Sequence, residues 1–149
     1  MSASDNLGEQ LRMFMTAREI KDYLNDSGDL EDYNTDSMDV LWDKKLEESM
    51  RGRGQGHGSG VYDALASGKD IITRNTRPKY EEPGVVEIMV GNGPEIDVEG
   101  NIIGDREGTR YIYDMHHRIA AQADIDEKSG TEKYLPVTYI DEGGLYERS

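Results

Sequence analysis

The segment from Arg110 to Ala121 changes its periodicity at one point, and that change constrains the fold more than any other stretch of the chain. Arg110-Tyr111-Ile112-Tyr113 has the β-branched and aromatic composition of a strand, whereas Ile119, Ala120, Ala123 and Ile125 recur behind it at helical spacing. The junction holds Asp114, Met115, His116, His117 and Arg118. A helix that starts here leaves its first backbone N–H groups unpaired under a partial positive charge, so an anion is favoured before any side chain is counted. Arg118 adds a bidentate grip suited to phosphate, and the two histidines add ring nitrogens.

The remaining punctuation supplies helices first and strands later. Thr16-Ala17-Arg18-Glu19 is a capping box that opens a helix to about Leu24. Asn25 to Thr35 is an acidic connection, and Asp36 to Met50 is a second helix whose Met38, Leu41, Trp42, Leu46 and Met50 mark a core face. Arg51 to Gly60 is too rich in glycine for a regular element. Ser59 can cap a short helix over Val61 to Ser67, Gly68 can end it, and Ile71-Ile72-Thr73 has strand composition. Arg74 to Gly84 reads as loop, Val85 to Val90 as a buried strand, and Glu95 to Gly104 as a hairpin about Glu99-Gly100-Asn101. Leu135 to Ile140 is the last strand. This order predicts an α+β fold: a small mixed β-sheet with N-terminal helices and a helix following the Tyr111–Asp114 strand. Residues 1–12 read as a disordered leader, 13–141 as a single domain and 142–149 as a C-terminal tail.

A chain of 149 residues fits one domain with one core. No apolar run approaches the roughly 20 residues of a membrane span, and Met1 to Gln10 lacks the apolar stretch of a signal peptide. With no cysteine, disulfides and thiolate chemistry are excluded; the expectation is a cytoplasmic protein without membrane contact. The net charge of −14 is uneven: residues 1–49 carry −8, residues 50–80 carry +4, and residues 81–149 carry −10. An acidic body opposes wrapping extended double-stranded DNA and leaves room for a local phosphate contact, so a nucleotide or phosphorylated small molecule suits the charge better.

The basic island contains Arg51-Gly52-Arg53-Gly54-Gln55-Gly56-His57-Gly58-Ser59-Gly60, whose glycines would let backbone N–H groups approach a phosphate. It lacks the Gly-Lys-Ser/Thr ending of a Walker loop and has no Rossmann spacing, so its other reading is a flexible connector. Adjacent helical residues point about 100° apart, which disfavours one metal between His116 and His117, and no metal is assigned. Arg118 needs an anionic partner, either Asp114 or a ligand.

Asp114 to Ala121 resembles the helix-opening motif of the ParB/sulfiredoxin superfamily, whose members carry Gly-Glu-Arg-Arg, Gly-His-His-Arg or Gly-Gly-Cys-His-Arg there. Ser59-Gly60-Val61-Tyr62-Asp63-Ala64-Leu65 with Gly68 and Ile71-Ile72 resembles the short helix, glycine and strand that precede that motif. With Met15 to Ile20 and Leu135 to Ile140, the likeness runs over residues 14–141 and is nearest to small stand-alone ParB-like (ParB-like nuclease domain) proteins of actinobacterial phages, which would place this one in the host cytoplasm. The resemblance implies binding of a nucleotide (CTP, ATP or ADP) with Mg²⁺, and nucleotide hydrolysis, phosphoryl transfer or nuclease action. It implies phosphate contacts at Arg118 and His117; the helix start adds His116 and the glycine loop adds Arg53, His57, Gly58, Ser59 and Gly60 to that expected site, and the catalytic candidates are Asp114, by its location, with His116 and His117. Asp63 qualifies by location alone. His116 stands where sulfiredoxins carry their reactive cysteine, which rules out that chemistry. Met115 replaces the motif's glycine, so a long side chain is expected to narrow or shut the pocket, and Asp70 replaces a common proline. The alternative is a non-catalytic acidic protein that keeps the fold and binds a basic protein partner or mimics nucleic acid.

Overall fold

Val86 to Met89 is an unbroken buried run, the pattern of a strand covered on both faces, and it forms the middle of the sheet. The computed structural model describes residues 12–25, 37–72 and 84–145. Along the chain these form β1 (Arg12–Thr16), α1 (Ala17–Tyr23), α2 (Met38–Met50), α3 (Val61–Ala66), β2 (Val86–Ile96), β3 (Ile102–Asp105), β4 (Arg110–Tyr111), α4 (His116–Ser129) and β5 (Tyr134–Leu145). The architecture is α+β around a mixed five-stranded sheet in the order β1-β5-β2-β3, with β4 also paired to β2. β2 runs parallel to β5 from Val86 beside Val137, whereas β1 is antiparallel to β5, and β3 and β4 are antiparallel to β2. Parallel neighbours need a crossover between them. Here α4 lies on that connection.

Helix α4 supplies the inner layer. Ile119, Ala120, Ala121 and Ala123 share one apolar core with Val86, Ile88, Leu135 and Val137 of the sheet and with Ile20, Trp42 and Leu65 of the other helices. Its remaining faces meet α1, α2 and α3. The small alanines allow this close surround, because helix axes approach nearest where side chains are short. Gly130, left-handed at φ 74°, ends α4, and its N–H returns to the Asp126 carbonyl. At the other end of the sheet the Thr16–Glu19 capping box closes as the sequence implies: Glu19 N–H donates to Thr16 Oγ1, and Thr16 N–H donates to Glu19 Oε1.

Several elements differ from expectation for identifiable reasons. The chain enters the described fold through a strand, β1, and not through a helix, because Met13 to Thr16 pair with Tyr134 to Val137 across a long sequence gap that local reading cannot see. β5 continues through Gly143 and Gly144 to Leu145, where composition suggested a tail, because β2 supplies a neighbour from Val137 to Gly143 and again at Leu145. The strand expected over Arg110 to Tyr113 shrinks to Arg110–Tyr111. Ile71 and Ile72 are not in a strand, although Ile72 is buried. Met50 is exposed, and the buried face of α2 is instead Leu41, Trp42, Lys45 and Ser49. Arg12, expected as the end of the leader, is the first residue of β1; residues 1–11, most of the acidic connection and residues 73–83 of the expected strand end and loop lie outside the described residues.

Because Ile88 is fully buried in the central strand and Ile103 is 57 % exposed, the two alanine substitutions should separate cleanly. Ile88→Ala should cost about 2–5 kcal/mol, a fall in Tm on the order of 10 °C, and Ile103→Ala should stay within about 0.5 kcal/mol in thermal or denaturant unfolding.

Candidate functional site

The opening of α4 is built on a backbone conformation that its residue does not prefer. Met115, the residue before the helix, has φ 82° and ψ 12°, and it is the one non-glycine residue with positive φ among those described. A left-handed residue with a side chain costs on the order of 1–2 kcal/mol, so the surrounding contacts must hold it there. Two are evident. The Met115 N–H donates to Asp114 Oδ1 at 2.7 Å, and the Met115 side chain is packed into the apolar core. The Met115 side chain, expected to narrow or shut the pocket, is buried and belongs to the apolar core. Asp114 is also accounted for, since its carboxylate serves the turn.

Met115 offers no side-chain cap, and the first i→i−4 bond of the helix is Ile119 N–H to the Met115 carbonyl. The backbone N–H groups of His116, His117 and Arg118 precede it, facing the helix start without an intrahelical partner. Around them the three side chains separate. His116 is buried, with its ring 5.6 Å from that of Trp42 on α2. His117 is buried between α2 and the glycine loop, its Nε2 2.9 Å from Glu48 Oε1. Arg118 is half-buried, and its Nη1 is buried without a hydrogen-bond partner among the described residues. Trp42 Nε1 and His116 Nε2 are in the same position. Buried nitrogens without partners are unusual, since nearly all such groups are satisfied; among the described residues Trp42 Nε1 and His116 Nε2 belong to rings 5.6 Å apart, while Arg118 Nη1 lies two positions further along α4.

The glycine loop folds onto this opening. Gly54, Gly56, Gly58 and Gly60 all have left-handed φ, which explains their alternation in the sequence. Gly60 N–H donates to the Arg51 carbonyl at 2.9 Å, closing the loop at its base. Gly58 lies directly over His117: a Cβ there would fall inside the van der Waals envelope of the imidazole. The His57 ring stands edge-on to the His117 ring at 5.0 Å. The loop is thus a fitted part of the site. Its first half behaves differently, with Arg53 exposed and its stem beside Gly60, so the helix opening is met by His57 and Gly58 and not by Arg53. Ser59 does not cap α3; its N–H bonds the Gly56 carbonyl, and Gly60 takes the cap position. Asp63 is exposed on α3.

Two residues that sequence reading passed over complete the site. Glu48 binds His117, and Lys45, buried on the same helix face, lies 3.9 Å from Glu48. The signal was present: Lys45 and Ser49 fall at core-facing positions of α2, where apolar residues are the rule.

The electrostatics assign the protons. Burial works against ionisation of Glu48, but the His117 hydrogen bond and Lys45 outweigh it, and the Glu48 carboxyl sits below its ordinary value. Burial also pushes the His117 imidazole down, helped by Lys45 and His57 against the pull of Glu48. An ionised carboxylate beside a neutral ring places the shared hydrogen on Nε2, which donates to Glu48. Burial, with Lys45 and His117, lowers His116 to about 4. Both histidines are neutral at pH 7. Positive charge at the opening therefore comes from Arg118, Lys45 and the helix terminus. Among the described residues no group of three His, Asp or Glu side chains is placed to hold a metal ion.

Because the folded-state value of His116 lies below the unfolded 6.5, the unfolded chain binds the proton more readily between these limits. Stability should fall as pH drops from 6.5 to about 4, by up to about 3 kcal/mol from this group. His116→Phe, which keeps a ring against Trp42, should flatten that part of a stability-versus-pH curve. Gly58→Ala should displace the loop from His117 and shift the imidazole signals of both His57 and His117 in NMR spectra, since its φ of 79° and the imidazole beneath it both reject a methyl group.

Comparison with family models, curated proteins and solved structures finds no match for this chain, so the geometry at α4 is what speaks to its function.

Proposed function

We propose that the chain binds a phosphate-bearing ligand, a nucleotide or a phosphorylated small molecule, at the start of α4, as a ParB/sulfiredoxin-like domain would. The supporting observation is that Arg118 Nη1, and apart from it Trp42 Nε1 and His116 Nε2, are buried without hydrogen-bond partners among the described residues, on or against the first turn of a helix that Met115 does not cap. Trp and Arg nitrogens can only donate, so the missing partner must accept. Phosphate oxygens meet that requirement and also suit the helix terminus. The left-handed Met115 agrees with the resemblance, because glycine occupies the corresponding place of the motif and adopts that conformation without cost. His57, Gly58 and Ser59 with Gly60 line the approach from the loop; Arg53 contributes charge from outside.

Turnover in this reading is nucleotide hydrolysis or phosphoryl transfer, with Mg²⁺ carried in by the phosphates of CTP, ATP or ADP. His117, oriented by Glu48, is better suited than His116 or Asp114 to handle a proton: His116 is buried in the core, and Asp114 is engaged by the Met115 N–H. A second reading, a non-catalytic acidic protein with a basic protein partner, is favoured by the net charge of −14.

A thermal-shift series with CTP, ATP, ADP and inorganic phosphate, each with and without Mg²⁺, distinguishes them. Ligand at about a hundred times its Kd should raise Tm by roughly 5–10 °C, and Arg118→Ala should abolish the shift while remaining folded. No shift with any of these would favour the acidic interaction reading. For a nuclease, plasmid cleavage should disappear in the His116→Ala/His117→Ala double variant; cleavage that survives comes from elsewhere.

A further inference from the structure

We propose that Met13 and Met15, aligned by the Tyr139 phenol, form a binding site for a soft monovalent metal ion, Cu(I), at the β1 edge of the sheet. The site is separate from the α4 opening and does not depend on the phosphate reading.

Among the described residues β1 is a terminal strand of the sheet, and its pairing with β5 sets Met13 opposite Val137 and Met15 opposite Leu135. Residues two apart on a strand share a face, so both thioethers lie on one side of the sheet with Tyr139, two positions beyond Val137. The Tyr139 O–H donates to Met13 Sδ at 2.9 Å and to Met15 Sδ at 3.5 Å. A single hydrogen that reaches two acceptors must point between them, which keeps the two sulfurs within about 5 Å of each other. Metal–sulfur bonds of about 2.3 Å span up to roughly 4.6 Å, so one ion between the sulfurs asks for only a small closing movement. Methionine supplies it readily, being unbranched and flexible. Met13 is 42 % exposed, which leaves an entry from solvent, while Met15 is buried and anchors the inner side.

The donor set selects the ion. Thioether sulfur is neutral and soft, the ligand type that suits Cu(I), whereas Mg²⁺ and Ca²⁺ require oxygen ligands, carboxylates above all. Tyr139 supplies no negative charge: burial and the neighbouring Tyr23 push its phenol above its ordinary value, so it stays protonated at neutral pH. Its hydrogen turns aside when an ion takes the space between the sulfurs, and no covalent bond changes. Tyr23 packs edge-on against Tyr139 at 5.6 Å, and the Arg110 guanidinium lies 4.5 Å from the centre of the Tyr23 ring. That fixed positive charge, one ring away, opposes a divalent ion about twice as strongly as a monovalent one. Among the described residues no group of three His, Asp or Glu side chains offers the ion an alternative seat.

The test adds Ag(I), in chloride-free buffer, to the full chain carrying ¹³C-labelled methionine methyl groups; Ag(I) has the charge and softness of Cu(I) without its redox chemistry. The ε-methyl signals of Met13 and Met15 should move together and saturate at a single ion per chain. Met50, which is 43 % exposed, should need at least roughly tenfold more silver. Met13→Leu, at an exposed position where the fold is least affected, should weaken binding about tenfold or more, and Met15→Leu should do the same. Mg²⁺ should leave both signals in place. The proposal is overturned if Met50 responds at the same silver concentration as Met13, if Met13 and Met15 follow separate curves, if Met13→Leu binds as tightly as the parent chain, or if Mg²⁺ shifts the same signals.

Discussion

His117 is the residue on which the arrangement at α4 depends. Its imidazole is held by Glu48 from one side, covered by the Gly58 backbone from another, and met edge-on by His57. Three separate pieces of chain, α2, the glycine loop and α4, are thereby tied at one ring. The loop can sit this close only because position 58 has no side chain and tolerates a left-handed backbone. Remove either condition and the loop loses its seat, and with it the geometry around the helix opening.

The same contacts decide what kind of chemistry the opening can support. Burial keeps His116 and His117 uncharged, so they act as hydrogen-bonding groups and leave the positive charge to Arg118, Lys45 and the helix terminus. The ionised Glu48 offsets Lys45, which leaves Arg118 and the helix terminus as the positive features of the opening; inside a chain of net charge −14 these suit a compact anion better than a long one. In the proposed reading, the acidic exterior confines binding to ligands small enough to enter beneath the loop.

Much of this was legible in the residues, and the failures have physical causes. The Thr16–Glu19 box, α2, the β2–β3 hairpin and the switch from strand to helix near Asp114 are local patterns, written in caps, periodicity and turn residues. β1 was missed because its partner is about 120 residues away, and the end of β5 because Gly143-Gly144 carries no strand preference without a neighbour. The roles of Glu48 and Lys45 were hidden among many acidic and basic residues; only their place on the buried face of α2 sets them apart. The left-handed backbone of Met115 was not legible, because a non-glycine residue gives no local signal for positive φ.

The central claim is that the glycine loop and the start of α4 act as one binding site. The most direct measurement follows backbone amides and the Arg118 side-chain NH signals by NMR while Mg²⁺-CTP, and separately inorganic phosphate, is added to the intact chain. The account predicts that His57, Gly58, His116, His117 and Arg118 shift together along one saturating curve. Signals that stay fixed, or that move at Arg118 while His57 and Gly58 do not, would contradict it.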